Sequence, residues 1–408
     1  MNRPSLYWEA DDDVEDIGRY VPGGYHPVKL GDLLAPPPGS SDGGVRRYRV
    51  LHKLGRGAFG TVWFAESLHE SSQRYVALKI CVADANPQQE LGIHSRLPHE
   101  EARHIMELLD SFTLQGPNGV HSVFVYNVLG SLNEAIRSSP GTMQVKLVCQ
   151  QLVKGVAFLH RYGVVHGDIH LGNVGIALPT LNDHSSRDIM EYFGNPECTV
   201  VLPTTVSQHP DGLPPYLVPP VSFNSFLSRN DLSFREGLLK VEIMDLGNAT
   251  TVDCAPRPSC TPAAVCAPEI MFERVVRSVD APATKASDIW SLACTMYELV
   301  FGSRLFHFAA QNDALLGKMS KLCGEISPSW QTYWISKERL RDLDTSPETA
   351  SAEWAYLLDH HSRTNSVLPS TDMAELISLL RLMLKMDPAA RLSAEDVLEH
   401  PWLNSVGS

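Results

Sequence analysis

His166, Asp168, His170 and Asn173 stand close together in Val165-His166-Gly167-Asp168-Ile169-His170-Leu171-Gly172-Asn173, a short loop-like stretch of this 408-residue chain. A carboxylate placed there can accept the proton of an attacking hydroxyl, and a carboxamide five positions on can offer an oxygen to a divalent cation. A second oxygen ligand comes from Val241-Glu242-Ile243-Met244-Asp245-Leu246-Gly247, where a strand-like run ends in Asp245 on a tight turn. Two oxygen donors suit Mg²⁺, which completes its shell with water and phosphate oxygens rather than with an all-protein cage. Asp168 is thus a candidate base, and Asn173 and Asp245 are candidate metal ligands.

A phosphate site is also legible. Leu54-Gly55-Arg56-Gly57-Ala58-Phe59-Gly60-Thr61-Val62 is rich in glycine, and backbone N–H groups approach phosphate oxygens only where no side chain intervenes. In a dinucleotide-binding fold the glycines would open a helix. Here strand-like Thr61-Val62-Trp63-Phe64 follows, so the glycines join two strands. Lys79 sits inside the apolar run Val76-Ala77-Leu78-Lys79, a costly place for an ammonium group without a partner, and Glu90 is the natural one. Such a pair would orient the α- and β-phosphates of a nucleotide. Ala267-Pro268-Glu269 closes the segment that begins at Asp245.

The elements that must hold these residues follow from periodicity. From Tyr48 onward, short β-branched and aromatic runs broken by glycine predict strands, among them Tyr75 to Ile80 and His121 to Leu129, with a short helix from Gln88 to Leu97 between them. Beyond residue 130, Leu147, Val148, Leu152, Val156 and Leu159 recur at helical spacing. Residues 286–300 and 372–400 are also expected to be helical. The span 178–238 carries eight prolines with little periodicity and reads as an insertion, although Leu213-Pro214-Pro215-Tyr216-Leu217-Val218 is apolar enough to pack on a surface. The outline is an N-terminal extension (1–47), a β-rich lobe (48–129), an α-rich lobe (130–403) containing that spacer, and a tail (404–408).

Composition narrows the class. A hydrophobic share of 43% with 28 glycines and 28 prolines is ordinary globular usage. The longest apolar stretch, Trp290 to Gly302, is interrupted by Glu298, and Asp11-Asp12-Asp13 arrives before a signal-peptide core could form. An intracellular location, in cytoplasm or nucleus, is expected. Thirty-four basic against 47 acidic side chains leave −13, which repels nucleic-acid backbones and suits a basic partner. The acidic patch at Glu9, Asp11, Asp12, Asp13, Glu15 and Asp16 reads as a solvated tail. Cys254, Cys260 and Cys266 lack a matched ligand set for zinc, so reduced, structural thiols are expected.

With these motifs in this order, residues 48–403 resemble a eukaryotic protein kinase. Ser287-Asp288-Ile289-Trp290-Ser291 resembles the buried helix whose aspartate braces the catalytic loop, and Arg391 resembles the arginine that pairs with the glutamate of Ala-Pro-Glu. Within the kinases the chain is most similar to a fungal-type branch of the SR-protein kinases. It shares Gly23-Gly24-Tyr25-His26-Pro27-Val28, Asp245-Leu246-Gly247-Asn248-Ala249, the spacer position and the terminal His400-Pro401-Trp402-Leu403-Asn404-Ser405. The resemblance implies a bilobal α+β fold and a monomeric Ser/Thr protein kinase using ATP and Mg²⁺ on protein substrates of basic or Arg/Ser-rich character, with no nucleic acid or membrane partner. It implies catalytic roles for Asp168, Lys79, Glu90, His166 and His170, and metal binding by Asn173 and Asp245. Nucleotide contacts are implied at Leu54 through Val62 (Leu54, Gly55, Arg56, Gly57, Ala58, Phe59, Gly60, Thr61, Val62), Lys79, Asn127 and Leu129, and bracing roles for Glu269, Asp288 and Arg391.

Three departures keep alternatives open. His-Gly-Asp-x-His is also the pattern of small-molecule phosphotransferases, His170 replaces a lysine usual in Ser/Thr kinases, and no arginine precedes Ala-Pro-Glu in Thr261-Pro262-Ala263-Ala264-Val265-Cys266. A small-molecule kinase and a catalytically silent pseudokinase scaffold are the rival readings. Near Asp313, where the family lines an acidic docking groove, Lys318 and Ser320 intrude. Gly167 cannot clamp a phosphate as arginine does at that position in many kinases, although Thr250, Thr251, Ser259 and Thr261 offer hydroxyls. Constitutive activity is therefore expected.

Overall fold

Alternation along Trp63-Phe64-Ala65 sends successive side chains to opposite faces of a sheet, and both faces are covered. The strands are β1 (Leu33–Leu34), β2 (Tyr48–Gly57), β3 (Gly60–Ser67), β4 (Tyr75–Cys81), β5 (Leu108–Gly116) and β6 (Gly119–Tyr126), antiparallel in the order β1-β2-β3-β4-β6-β5. The computed structural model describes residues 14–37, 46–69, 74–132, 145–201, 210–223, 226, 239–253, 257–307, 312–364 and 368–404. Contacts divide the chain into two compact units. The first takes in Met1–Gln88, Met106–Ser131 and Ala177–Leu238, and the second Gln89–Ile105, Leu132–Ile176 and Leu239–Ser408.

In the first unit, Val50, Trp63, Ala65, Val76, Leu78, Val123 and Val125 form the core on one sheet face. On the other, Phe64 and Tyr75 pack against Leu178, Leu181, Ile189, Phe223 and Phe226. The sequence outline sets residues 178–238 inside the 130–403 segment, whereas they cluster here with the sheet. They also hold more structure than their prolines suggest. Ser186–Phe193 is a helix, begun by a capping box between Ser185 and Asp188. Thr199–Val200 pairs with Tyr216–Leu217, and Leu217 and Val218 are buried. Residues 202–209, 224–225 and 227–238 of the spacer lie outside the described residues, as do Glu9, Asp11, Asp12, Asp13 and Cys254.

Glu15 corrects the expectation of a solvated acidic tail. It is 2% exposed and accepts from the Lys53 ammonium, itself fully buried, and from the Tyr20 hydroxyl at 2.5 Å. A buried charge must be paired, and each of the two residues is the other's partner.

The second unit is mostly helical. Its elements include α1 (Pro87–Arg96, in this unit from Gln89 on), α2 (Val145–Arg161) and α3 (Lys285–Phe301). Val148, Leu152, Val156 and Leu159 of α2 are buried as their spacing requires. α3 is apolar nearly all round and correspondingly interior. It starts at a Thr284–Ser287 capping box and stops at Gly302 in the left-handed conformation. Trp290 stacks on Phe306 at 5.6 Å, beneath the Arg391 guanidinium. Among the described residues no helix is long and apolar enough to cross a membrane.

Two stability predictions follow from these cores. Arg391 donates to both Glu269 oxygens at 2.9 and 2.6 Å and to the carbonyls of Lys385 and Ala286. Arg391→Met leaves all of these acceptors short, and denaturant unfolding should register a loss of about 3 kcal/mol; a change within error would contradict the bracing role. In the first unit, burial lowers His26 to about 4, helped by its neighbour His121, which burial also lowers. Their rings lie 4.8 Å apart. The unfolded chain therefore binds protons that the folded unit refuses as pH falls from the ordinary histidine value towards 4, so stability drops across that window. In His26→Gln the midpoint against pH should run flatter there. An unchanged slope would show that His26 does not contribute.

Candidate active site

The catalytic-loop stretch is shaped by one carboxylate. Asp288, on the first turns of α3, accepts from the His166 amide at 2.8 Å, the Gly167 amide at 2.9 Å and the His160 ring at 3.0 Å. Two successive amides can face one acceptor because Gly167 adopts φ +74°, a conformation glycine takes without a Cβ penalty. A side chain at 167 would also meet Ala283 and the Asn248 carbonyl within 3.3 Å. His166 is fully buried. Its Nε2 donates to the Met244 carbonyl at 3.0 Å and its Nδ1 accepts from the Asp168 amide at 3.1 Å, so both ring nitrogens are spent on holding backbone.

These restraints aim Asp168. Asn173 reaches back with Nδ2 to the Asp168 carbonyl at 2.9 Å and to Oδ2 at 3.3 Å, and Asn248 donates to the same Oδ2 at 3.2 Å. The other oxygen, Oδ1, is buried without a hydrogen-bond partner, and the His170 Nε2 stands 3.6 Å from it. Burial pushes the Asp168 carboxyl above the usual range, against the pull of the His170 and His166 rings. Burial likewise lowers His170, opposed by Asp168. The His170 Nδ1 accepts from the Gly172 amide at 3.0 Å, which leaves the Nε2 edge turned to Asp168.

Asp245 comes to the same place through a small ladder. Strand Val241–Ile243 pairs antiparallel with Val174, Gly175 and Ile176, and the Met244 amide then donates to the Asn173 carbonyl at 2.8 Å. Asp245 itself is left-handed (φ 58°), unusual for a residue with a side chain, and its Oδ1 takes the Gly247 amide at 3.2 Å. Both Asn173 amide hydrogens are committed to Asp168, so its Oδ1 is the atom that can meet a cation. Among the described residues no group of three or more His, Cys, Asp or Glu side chains could hold a metal. The donor set here, one carboxylate and one carboxamide, is the kind that binds Mg²⁺ jointly with phosphate.

The remaining candidates divide between the units. In the first, Val62 and Lys79 are cross-strand partners in register, and the glycine stretch forms the β2–β3 hairpin with Gly57 opposite Gly60. A Cβ on Gly60 would fall 2.3 Å from the Ile80 carbonyl oxygen, whereas Gly55 and Gly57 face open space into which a ligand can come. Asn127 and Leu129 follow β6. In the second unit, Glu90 is buried on α1, and Glu269 pairs with Arg391.

Sequence reasoning missed several residues of the segment after Asp245. Ser259 and Thr261 are not available hydroxyls. Both are buried, hydrogen-bonded to each other at 2.8 Å, and Thr261 Oγ1 donates to the Gly167 carbonyl at 2.7 Å. Arg274 caps the carbonyls of both. Gln89 on α1 donates to the Ala249 carbonyl at 2.6 Å, and Arg96, also on α1, pairs with Asp253 at 2.8 Å. Thr250–Thr251 pairs with Val164–Val165 ahead of the loop. No local pattern marks the partners of Thr261, Gln89 and Arg96, because those bonds join residues far apart in the chain.

The protein kinase domain family matches residues 48–180 and 227–403. Among curated proteins, Serine/threonine-protein kinase spk-1 of Caenorhabditis elegans is 35% identical over 184 residues, covering 41% of this chain and 17% of that protein. The chain thus matches about a sixth of the length of that relative. Serine/threonine-protein kinase SRPK of Physarum polycephalum is 27% identical over 98% of this chain and 93% of its own length. SRSF protein kinase 3 of Homo sapiens is 33% identical over 41% of this chain and 30% of that protein. The chain belongs to the protein kinase domain family, and within that family it is SR-protein-kinase-like.

Proposed function

We propose that this chain transfers the γ-phosphoryl group of Mg-ATP to Ser or Thr hydroxyls of protein substrates. The observation that carries this reading is Asp168: a carboxylate held on one oxygen by two amides, with the other oxygen unpartnered beside His170. A base in that state is ready to accept the acceptor hydroxyl's proton without first breaking a bond of its own. In the second unit, Asn173 Oδ1 and the Asp245 carboxylate would hold Mg²⁺, which when bound neutralises charge on the phosphates. In the first unit, Lys79 and the N–H groups of the glycine hairpin would meet phosphate oxygens, with Asn127 and Leu129 as further nucleotide contacts; in the second, Glu90 is proposed as a catalytic residue. The kinase core is proposed to run through 48–129 and 130–403, with 1–47 as an extension and 178–238 as an insertion.

Catalysis on this reading is positioning plus charge neutralisation. The net charge of −13 favours basic substrates, and the SR-protein kinase relatives make Arg/Ser-rich proteins the first to test. Asp313, the acidic residue expected at a docking surface, is already engaged by the Tyr333 hydroxyl, and Ser320 is buried, so substrate binding there would differ in detail from that of the relatives. A cytoplasmic or nuclear location fits such substrates.

Two outcomes test the reading. With radiolabelled ATP and a panel of basic and Arg/Ser peptides, Asp168→Asn should cut kcat by a factor of roughly 10²–10⁴, and Lys79→Met should cost on the order of 3–4 kcal/mol of barrier, both without unfolding. Wild-type turnover in either variant sinks that residue's role. The second concerns regulation. The bonds from Gln89, Arg96, Arg274 and Thr261 order the segment without a phosphate. Phosphatase treatment, with residues 245–269 verified as unmodified by mass spectrometry, should therefore leave activity within about twofold. A tenfold drop, ~1.4 kcal/mol of barrier, would reveal a phosphate switch.

A further inference from the structure

The Gly23-Gly24-Tyr25 motif of the N-terminal extension is built against the tip of the glycine hairpin, within the first unit. Gly23, at φ +88°, donates its amide to the Asn118 carbonyl at 2.8 Å, and its own carbonyl accepts from the Asp84 amide at 2.9 Å. The Gly24 carbonyl accepts from the Ala83 amide at 3.1 Å. A Cβ on Gly24 would fall 1.9 Å from the Arg19 carbonyl oxygen, so only glycine lets the chain fold back and bond Tyr25 N to Arg19 O at 2.9 Å. That fold-back lays the Arg19 guanidinium over the Tyr25 ring at 4.5 Å, with Nη1 donating to the phenol oxygen at 2.8 Å. The buried Glu15–Lys53 pair anchors the extension to β2 just before the glycines.

From this platform two donors reach the tip. The Tyr25 hydroxyl donates to the Gly57 carbonyl at 2.8 Å, and Arg19 Nη2 donates to the Ala58 carbonyl at 2.6 Å. The next carbonyl, Phe59, accepts from the Val82 amide at 3.0 Å. Three successive carbonyls are thus tied, two by the extension and one by the backbone of Val82. In a trans peptide the N–H of the following residue points opposite to the carbonyl. Fixing the oxygens of Gly57 and Ala58 therefore fixes the N–H vectors of Ala58 and Phe59 away from the extension, and fixing that of Phe59 sets the Gly60 N–H away from Val82.

We propose that Arg19 and Tyr25 are positioning residues for nucleotide phosphate: the extension presets the glycine-hairpin amides before any ligand arrives. This rests on the nucleotide reading above and adds to it a role for a segment outside the kinase core. Pre-set donors need no reorganisation on binding, so the effect belongs to phosphate-bearing ligands alone.

The test uses the full chain, with Tyr25→Phe and Arg19→Ala, titrated calorimetrically with Mg-ADP and, separately, with adenosine. Each variant should bind Mg-ADP about fivefold more weakly, the scale of one net hydrogen bond, with adenosine affinity unchanged. Tyr25→Phe alters no charge, so its loss cannot be ascribed to a missing cation. Hydrogen exchange of amides 57–60 in nucleotide-free protein should quicken in both variants. Unchanged Mg-ADP affinity, or equal losses for adenosine and Mg-ADP, overturns the proposal. Should Tyr25→Phe not fold, the Arg19→Ala variant, at a half-buried position, decides by the same comparison. Wild-type protein that binds adenosine and Mg-ADP equally, or binds neither, overturns the phosphate reading itself and this role with it.

Discussion

The Asp288 carboxylate is the interaction on which the second unit's chemistry depends. It is almost fully buried, and it is tolerable there only because three N–H donors converge on it. Two of those donors are consecutive amides of the loop that presents Asp168, so the requirement to satisfy a buried charge becomes a requirement on loop shape. Gly167 follows from it, as does the His166 ring that fastens the loop to Met244. The same logic spreads outward: Asn173 returns to Asp168 by hydrogen bonds, and the Met244 amide, bonded to the Asn173 carbonyl, sets the position from which Asp245 follows.

Ordering of the segment after Asp245 is a second consequence. A residue with no side chain at 167 removes one way of fastening that segment, and the backbone supplies another. The Gly167 carbonyl accepts the Thr261 hydroxyl while its amide is spent on Asp288, so one residue joins loop, helix and segment. Gln89 and Arg96 attach α1 to the same segment at Ala249 and Asp253. The exposed Arg96–Asp253 pair contributes little energy alone. The buried Ser259–Thr261 bonds, capped by Arg274, matter more, because leaving those groups unpaired would be costly.

The first unit shows how added segments stabilise a sheet that would otherwise expose one face. Phe64 and Tyr75 are large aromatics on the face opposite the main core, and residues of the proline-rich span cover them through Phe223 and Phe226. The extension does comparable work at the hairpin, bringing a buried carboxylate to a buried lysine. Both segments look dispensable as composition, yet each fills an apolar or electrostatic gap left by the strands.

Much was legible in the sequence because the chemistry constrains short stretches. The base and carboxamide five apart, the glycines between strand-like runs, the apolar strand around Lys79 and the helical periodicity of Leu152, Val156 and Leu159 are local facts, and their order carries the resemblance to protein kinases that implies the α+β fold. Asp288 and Arg391 could be named in advance by resemblance. What the tertiary structure alone decided was pairing across distance. Glu15 reads as one more acid in a solvated run until Lys53 is seen opposite it, and Thr261 reads as a free hydroxyl until the Gly167 carbonyl is seen 94 residues away. Leu217 and Phe226 sit among prolines with no period to announce that they are core. Periodicity reports only which side of a single element is buried; which distant group satisfies a buried charge, hydroxyl or carbonyl depends on how the chain returns on itself.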